Sequence, residues 1–502
     1  MIRFIYTFII LLFIAGCNKT DIGKTEVTTP LVKTNFTKLT QHEDILNYLE
    51  HIDTLSEEIT IEFVGESVEG RKIPLVKVSG KGDVSEDQTN IFFFAQQHGD
   101  EPSGKEGLLL LLNDFAEGKH GKWLKDFNLL IMPQVNPDGG DMNQRRNANG
   151  IDLNRDHLVL KAPETQLVHK VFNTYKPEVT VDIHEYYPYS DYWKEFGYLK
   201  DFDIQLGGLT NMNVDSTIIN LFYDEIKPFV NEKLTDAGYS FFEYTLGDLP
   251  GGERLRHSTV DVNDGRQSFG ILNTLSFIVE GKSGKDSVDN LERRAKSQYA
   301  TTKSLLEYFS ENSDKIDQLV NRSRKKLVHA EEGEEVAIRM RHVRGDEPLK
   351  YPLKSLTSGK DTVFIVENFH TDIESLLSVK KPTAYLIPVE DEKLINWLDR
   401  SFIAYYDFRP SDSYEVKQYQ VNSLTSRIDE GLRNYYPKVE LIEPKEEQLS
   451  GKYFYVPVNQ LRSNKIVTAL EPQSMLGLIN YTDFEYLIKS SRYYPVMRVT
   501  MN

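Results

Sequence analysis

Two segments of this chain end in side chains that bind metals well. His98 and Glu101 follow the apolar run 90–95, and His184 follows the apolar run 179–183. Zinc accepts imidazole nitrogen and carboxylate oxygen, and two histidines with one carboxylate leave a fourth position open, as in catalytic zinc sites. Either motif alone is common on protein surfaces. Together they predict a site for one Zn²⁺ per chain that activates water for hydrolysis.

A third apolar segment, 275–279, ends in Glu280. Such a carboxylate is either an ordinary charge at the end of a strand or a general base near the activated water. Arg145 and Arg155 lie in a polar stretch between the two metal-binding motifs, after the turn sequence 136–139. Each guanidinium could grip a carboxylate or an oxyanion with its planar fork.

Strands and helices alternate around these motifs. The apolar runs are short enough to be buried strands, and segments 104–115, 164–175 and 290–310 have the spacing of helices. This alternation predicts an α/β domain with a mostly parallel or mixed sheet. In such a sheet, ligands bind at the carboxyl ends of the strands, where the candidate residues stand.

The bulk composition limits the class of protein. The chain has 502 residues, 39% of them hydrophobic, which suggests two or more domains with sizeable cores. The formal net charge of −17 disfavours nucleic acid as a partner. After a switch from basic to acidic residues near position 325, short strand-like pieces dominate. We therefore predict a catalytic domain over 36–325 and a smaller β-rich accessory domain over 326–502.

The first residues have the pattern of a bacterial lipoprotein signal peptide. A positive start is followed by an apolar run over 4–15 and then by Ala15-Gly16-Cys17, which resembles a lipobox. We predict a signal peptide over 1–17, lipidation of Cys17 and a polar tether over 18–35. The alternative is a short membrane anchor with an incidental cysteine. Lipidation predicts attachment to a membrane of the cell envelope, and the non-acidic Asn18 favours the outer membrane or the cell surface over the inner membrane.

Taken together, the motifs resemble the zinc carboxypeptidases of the carboxypeptidase A/B type. The resemblance covers about 36–310 and includes an early turn at 65–71, the His-x-x-Glu motif, Asn-Pro-Asp-Gly at 136–139, Asp-Leu-Asn-Arg at 152–155 and the two strand-end residues. Their common order along the chain is the strongest part of the evidence. The resemblance implies a mixed, roughly eight-stranded sheet with helices on both faces.

The resemblance also implies a role for each site residue. Zinc would be bound by His98, Glu101 and His184. Asp152 would accept a hydrogen bond from the ring of His98 and fix its orientation. Glu280 would be the general base.

The same resemblance assigns substrate-binding roles to residues of the polar stretch. Asn154 and Arg155 would hold the terminal carboxylate of the substrate. Arg145 would polarise the scissile carbonyl, and Arg146 is the competing candidate for that role.

The sequence departs from the family pattern at three points. No tyrosine stands at 256–261, where the family has a mobile one, and Tyr244 is the nearest upstream. Glu185 follows His184, where the family often has a small residue. Arg266 falls where the specificity pocket is expected, and it would either face an acidic group of the substrate or lie on the surface.

The leading hypothesis is a zinc-dependent metallocarboxypeptidase on an envelope lipoprotein, acting on peptides or on peptidoglycan-derived stem peptides. The first alternative is a zinc deacylase or amidase that acts on amino-acid derivatives or peptidoglycan stem peptides, since acylase relatives share the same ligand set. The second alternative is a non-catalytic lipoprotein that keeps the fold as a binding module.

Overall fold

The structure is a computed structural model, and the residues that it describes are 27–80, 84, 88–253, 255–429, 432–449 and 451–501. The predicted signal peptide, Cys17 and the first part of the tether lie outside these residues and stay predictions. Within the described ranges, no helix combines the length and the apolar character that a membrane crossing needs.

The chain up to Val328 alternates strands and helices, as the sequence predicts. Its strands are β1 (Ile59–Glu66), β2 (Lys72–Val78), β3 (Thr89–Ala95), β4 (Phe127–Met132), β5 (Val179–Tyr186), β6 (Tyr198–Leu199), β7 (Ile204–Gly207), β8 (Phe241–Glu243), β9 (Thr245–Leu246), β10 (Arg256–His257) and β11 (Leu275–Lys282). Its helices are α1 (Pro30–Lys33), α2 (His42–Leu55), α3 (Ser103–Ala116), α4 (Pro137–Met142), α5 (Pro163–Tyr175), α6 (Asp191–Phe196), α7 (Ser216–Leu221), α8 (Lys227–Asp236), α9 (Gly265–Gly270) and α10 (Leu291–Val328).

In the described part of the chain, eight strands form the central sheet in the order β1-β2-β4-β3-β5-β11-β7-β8. Strands β4, β3, β5 and β11 are parallel neighbours, whereas β7 runs antiparallel to β11 and β2 antiparallel to both β1 and β4. The predicted mixed, roughly eight-stranded sheet is therefore confirmed. Because β3, β5 and β11 are parallel and adjacent, their carboxyl ends meet at one edge.

Both faces of this sheet are covered. In β3, Ile91 and Phe93 point into one apolar cluster, which includes residues of α2, α3 and α10. Phe92 and Phe94 point into a second cluster, which includes residues of α5, α9 and the C-terminal part of the chain. Alternate residues of a strand face opposite ways, so a continuous apolar run is what a strand buried on both sides requires. Full burial of each such side chain stabilises the fold by roughly 1.5–3 kcal/mol.

Helix α10 is longer than its sequence suggests. A helix over 290–310 is predicted, but α10 runs over 38 residues from Leu291 to Val328 and has a kink at Asn312, whose φ is −129° and whose ψ is 19°. Its second half is mostly polar and keeps a narrow apolar stripe of Ile316, Val320 and Leu327, all of them buried. This spacing of four and seven residues puts them on one helical face, and packing of that face stabilises the part of α10 that follows the kink.

The C-terminal part is rich in strands, as the sequence predicts. Its strands are β12 (Glu335–Val343), β13 (Leu349–Ser355), β14 (Asp361–Val366), β15 (Asp372–Lys380), β16 (Ala384–Pro388), β17 (Tyr406–Asp407), β18 (Tyr414–Asp429), β19 (Leu432–Ile442), β20 (Tyr453–Pro457) and β21 (Tyr493–Met501). Its helices are α11 (Glu392–Arg400), α12 (Glu446–Leu449), α13 (Ser463–Leu470) and α14 (Tyr486–Lys489). Six of these strands form a second sheet in the order β17-β20-β16-β21-β18-β19.

The C-terminal part packs closely against the first part. Trp397 of α11 is buried and donates its indole N–H to the backbone carbonyl of Leu158 at 2.8 Å. Lys465 of α13 donates to the backbone carbonyl of His157 at 3.2 Å. Strand β13 also pairs with β6. Described elements of the C-terminal part thus help to cover the second face of the central sheet. The status of 326–502 as a separate accessory domain stays a prediction.

Candidate active site

The predicted metal-binding residues converge at the carboxyl edge of the central sheet. His98 and Glu101 lie in the loop between β3 and α3, and His184 lies in the neighbouring strand β5. Nδ1 of His98 is 2.8 Å from Oε1 of Glu101, and Nδ1 of His184 is 2.8 Å from Oε2 of Glu101. The two Nδ1 atoms are 3.1 Å apart. Two imidazole nitrogens and one carboxylate therefore face a common point.

This set of donors fits zinc. The exposed fractions of His98, Glu101 and His184 are 4%, 9% and 2%. Burial alone would raise the pKa of the Glu101 carboxyl, but the two imidazoles beside it hold that pKa well below its usual value. An anion buried in this way needs a cation close by. Two imidazoles and one carboxylate with room for a further ligand are the donors of a catalytic zinc site.

A carboxylate stands behind each imidazole. Oδ1 of Asp152 is 3.0 Å from Nε2 of His98, and Oδ1 of Asp182 is 2.8 Å from Nε2 of His184. A carboxylate on the far nitrogen of a ligating histidine fixes the tautomer and leaves the near nitrogen for the metal. The resemblance places Asp152 behind His98 but assigns no role to Asp182. The signal was available, because Asp182 stands two positions before His184 on one strand and so shares its face.

The two adjacent arginines of the polar stretch have different positions. Arg145 donates from Nε to Asp152 at 3.0 Å, and its Nη1 lies 3.2 Å from Oε1 of Glu101. Its side chain keeps 41% of its surface exposed. Arg146 instead donates to the backbone carbonyl of Gly150 at 3.1 Å and is exposed. The structure therefore brings Arg145, and not Arg146, to the metal-binding residues.

Asn154 and Arg155 lie beside the same cluster. Nδ2 of Asn154 is 3.1 Å from Nε2 of His184, and its Oδ1 accepts a hydrogen bond from the backbone N–H of Gly265 at 2.7 Å. Arg155 is exposed, and in the described part of the chain its guanidinium makes one hydrogen bond, to the carbonyl of Asn154 at 2.7 Å. An exposed guanidinium whose other N–H groups are unpaired can donate hydrogen bonds to a ligand carboxylate.

Glu280 faces the metal-binding residues from the next strand. In the parallel pair of β5 and β11, Glu280 is in register with His184. Its side chain is buried, and burial raises the pKa of Glu280 to about 7, against the opposing influence of the nearby imidazoles. A carboxylate with a pKa in this range can both accept and release a proton near neutral pH.

Two further residues near Glu280 were not assigned from the sequence. Burial lowers the pKa of Lys200 to about 8, and the charge of Glu280 opposes that shift. The Nζ of Lys200 donates to the carbonyl of Thr245 at 2.9 Å. Tyr244 is buried, and its pKa is raised well above the usual value by burial and then by Glu280. No motif or spacing points to Lys200, since its place depends on how β6 packs.

The departures from the family pattern lie around the site. The side chain of Glu185 is fully buried and forms an ion pair with Arg294 of α10. Nε of Arg294 is 2.9 Å from Oε1 of Glu185. Arg266 is also fully buried, so a surface position for this arginine is wrong. Ser258, which lies where the family has its tyrosine, donates its backbone N–H to the carbonyl of Tyr244 at 3.3 Å.

The chain is similar to known proteins. The family model described as "Zinc carboxypeptidase" matches residues 45–318. Carboxypeptidase 2 of Trichophyton rubrum is 26% identical over 86% of this chain and 81% of that protein. Among solved structures, carboxypeptidase A of Helicoverpa armigera has 14% identity and a TM-score of 0.43, covering 56% of this chain and 75% of the other. The metallo-carboxypeptidase of Burkholderia cenocepacia has 18% identity and a TM-score of 0.42, covering 54% and 70%. The chain belongs to the zinc carboxypeptidase family and is a zinc metallocarboxypeptidase.

Proposed function

We propose that this enzyme removes the C-terminal residue of peptides, with His98, Glu101 and His184 as its zinc ligands and Glu280 as its general base. One observation carries the proposal. The three ligand side chains face one point, and Glu280 stands in register with His184 on the adjacent parallel strand. A metal site with a carboxylate of raised pKa beside it is the arrangement that hydrolysis of an amide needs.

The proton transfers are assigned to Glu280. When bound, zinc supplies positive charge that polarises the attacking water and the scissile carbonyl. Glu280 takes a proton from that water as its oxygen attacks the carbonyl carbon. The same carboxyl then gives the proton to the leaving nitrogen as the carbon–nitrogen bond breaks. Burial keeps the pKa of Glu280 at about 7, which suits both steps near neutral pH.

Substrate binding is assigned to the residues of the polar stretch. Arg145 stands next to Glu101 with its guanidinium partly exposed, so it can donate to the carbonyl oxygen as negative charge develops there. Arg155 has unused donors at the surface of the site, and with Asn154 it would hold the terminal carboxylate. That clamp would place the last peptide bond of the substrate over the metal.

The test is a digest of a peptide library by the zinc-loaded protein, followed by mass spectrometry. Stepwise loss of residues from the C-terminus, which stops with a chelator and returns with zinc, would support the proposal. Internal cuts would contradict it. N-acetylated amino acids belong in the same assay, because faster release of acetate than of C-terminal residues would favour a deacylase.

We also propose that Cys17 carries lipid and anchors the enzyme to a membrane of the cell envelope, the outer membrane or the cell surface, within reach of peptides or peptidoglycan-derived substrates. The support is the apolar run 4–15 followed by Ala15-Gly16-Cys17 and the lack of any other cysteine in the sequence. Metabolic labelling with a fatty acid should label the wild type and not Cys17→Ser. Label on Cys17→Ser would contradict the anchor without touching the enzymatic proposal.

A further inference from the structure

A fully buried arginine beside the metal site has nitrogens without partners. Arg266 has 0% of its surface exposed. Its Nη2 donates to Oδ2 of Asp264 at 3.0 Å. Among the described residues, its Nε and Nη1 have no hydrogen-bond partner. Buried donors of a charged group are strongly destabilising when they stay unpaired, so these two nitrogens indicate a missing acceptor.

Other buried arginines of the chain are bound differently. Arg294 uses all three nitrogens: Nε and Nη2 contact the Glu185 carboxylate, and Nη1 contacts three backbone carbonyls. Arg324 leaves only Nε without a partner, and its two terminal nitrogens donate to acceptors. Within the described ranges, Arg266 is the arginine that leaves two buried nitrogens unpaired. Its environment is therefore unlike that of a structural arginine in this fold.

The position of Arg266 ties it to the active site. Helix α9 begins at Gly265, whose N–H donates to Asn154 at 2.7 Å. A Cβ atom on Gly265 would lie 2.5 Å from Oδ2 of Asp182, the carboxylate behind His184. The residue just before Arg266 thus packs directly against the support of a metal-binding histidine. Only a residue without a side chain allows this close approach.

The guanidinium of Arg266 lies beside the ring of Tyr244. Its central carbon lies 5.6 Å from the centroid of the Tyr244 ring. After burial, the charge of Glu280 is the largest influence that raises the pKa of Tyr244, and Arg266 and Arg155 oppose it. Tyr244 therefore lies within electrostatic range of the general base, of both arginines and of Asp264. Arg155 is exposed whereas Arg266 is fully buried, so Arg266 lies deeper.

We propose that Arg266 binds the side-chain carboxylate of an acidic C-terminal residue, so that the enzyme prefers peptides that end in glutamate or aspartate. This inference rests on the proposed function. Arg145 contacts Glu101 and Asp152, and both Arg155 and Arg266 act on Tyr244. Because Arg155 is assigned to the terminal carboxylate of the substrate, we assign the deeper Arg266 to the side chain of the C-terminal residue. A substrate carboxylate oxygen can accept a charge-assisted hydrogen bond from Nε or from Nη1, the two nitrogens without a partner, which lie on opposite sides of the guanidinium.

The experiment uses four N-acylated dipeptides that differ only in the last residue, which is Glu, Gln, Leu or Lys. For the zinc-loaded wild type, we expect kcat/KM for the Glu peptide to exceed that for the isosteric Gln peptide by about tenfold or more, because a site built to pair a group rejects the analogue that lacks it. Arg266→Met should remove at least most of this Glu-to-Gln preference. Arg341→Met, a change of an exposed arginine paired with Glu374, should keep it.

Several outcomes would overturn the inference. Wild-type cleavage of the Gln, Leu or Lys peptide as fast as the Glu peptide would do so while leaving the carboxypeptidase function intact. If Arg266→Met lowered kcat/KM equally for all four peptides, Arg266 would instead bind the terminal carboxylate or stabilise the fold.

A binding measurement separates the two proposals and does not depend on the folding of Arg266→Met. Calorimetry with the zinc-loaded wild type and with Glu280→Gln should show tighter binding of the Glu peptide than of the Gln peptide by about tenfold. Equal affinities would overturn the role of Arg266. Selective binding of the Glu peptide without hydrolysis in the wild type would support Arg266 and contradict the proposed function.

Discussion

Asp182 and His184 lie two residues apart on β5, and Oδ1 of Asp182 is 2.8 Å from Nε2 of His184. The strand itself creates this contact, because residues at this spacing share one face. The same oxygen accepts a hydrogen bond from Nε2 of Gln97 at 2.8 Å, in a place where Asp182 is fully buried. The ring of His184 is thereby held with Nδ1 directed at Glu101. The contact within the strand thus fixes the orientation of this ligand.

Removal of the Asp182 carboxylate should weaken zinc binding. We expect Asp182→Ala to lower the zinc affinity by roughly 10–100-fold, the usual effect of removing a carboxylate that orients a metal ligand. The affinity of Asp182→Asn should lie between those of the wild type and Asp182→Ala. Competition with a chromogenic chelator measures this affinity. Asp224→Asn, a change of an exposed carboxylate on another face, should bind zinc like the wild type. An unchanged affinity in Asp182→Ala would show that the strand alone fixes His184.

The neighbouring arginines Arg145 and Arg146 form a matched pair for a test of carbonyl polarisation. Arg145 contacts Glu101 and Asp152 at the site, whereas Arg146 donates to Gly150 away from it. We expect Arg145→Met to lower kcat by about 10²–10³-fold, the usual effect of removing one oxyanion donor. Arg146→Met should stay close to the wild type. The reverse order in steady-state kinetics would assign the role to Arg146 instead.

Much of the site could be predicted from the sequence because its residues follow buried strands. His98, His184 and Glu280 each stand at the end of an apolar run, and parallel neighbouring strands bring such ends to one edge. The sheet was predictable for the same reason, since strands buried on both faces are continuously apolar. The choice of Arg145 over Arg146 depended on resemblance. The structure places Arg145 beside Glu101 and Asp152, and its role in polarising the carbonyl stays a prediction.

Features that depend on packing between distant segments could not be predicted. The place of Lys200 near Glu280 depends on β6, which pairs with β13 more than 100 residues later in the chain. The burial of Arg266 depends on α9 packing against Asp182. The continuation of α10 depends on contacts of a sparse apolar stripe, which local periodicity suggests only weakly. Each of these is a long-range contact without a local pattern.

The buried pair of Glu185 and Arg294 should be needed for stability. Arg294 of α10 contacts both carboxylate oxygens of Glu185, and Ser103 donates its backbone N–H to the same group at 3.0 Å. Arg294→Met would leave this carboxylate buried without its cation. We expect a loss of about 3–5 kcal/mol in the free energy of unfolding, as for other broken buried pairs. Urea titration followed by circular dichroism measures it.

The adjacent arginine provides the control for this pair. Arg293 on the same helix pairs with Asp203 but keeps 54% of its side chain exposed, so Arg293→Met should cost less than about 1 kcal/mol. The double variant Glu185→Gln, Arg294→Met should be more stable than the sum of the single losses suggests, because no unpaired charge remains. Additive losses would show that the two side chains do not act as a pair.

Lys465 should make the stability of the fold depend on pH. Burial lowers the pKa of Lys465 from its usual value of 10.5 to about 7, with Arg462 adding to the shift and Asp156 opposing it. His157 and His169 also face it and stay neutral, because burial lowers the pKa of both. Above about pH 7 the unfolded chain holds a proton on Lys465 that the folded chain has released, so its contribution to stability rises with pH.

The variant Lys465→Met removes this proton exchange. As the pH falls from about 9 to about 7, the wild type should therefore lose unfolding free energy relative to Lys465→Met. Below about pH 7 the difference between the two proteins should level off. The lost hydrogen bond to the carbonyl of His157 adds an offset that does not change with pH. Lys350→Met, a change of an exposed lysine in the same part of the chain, should show no such shift. A difference that stays constant from about pH 6 to about pH 9 would mean that Lys465 keeps its proton in the folded state.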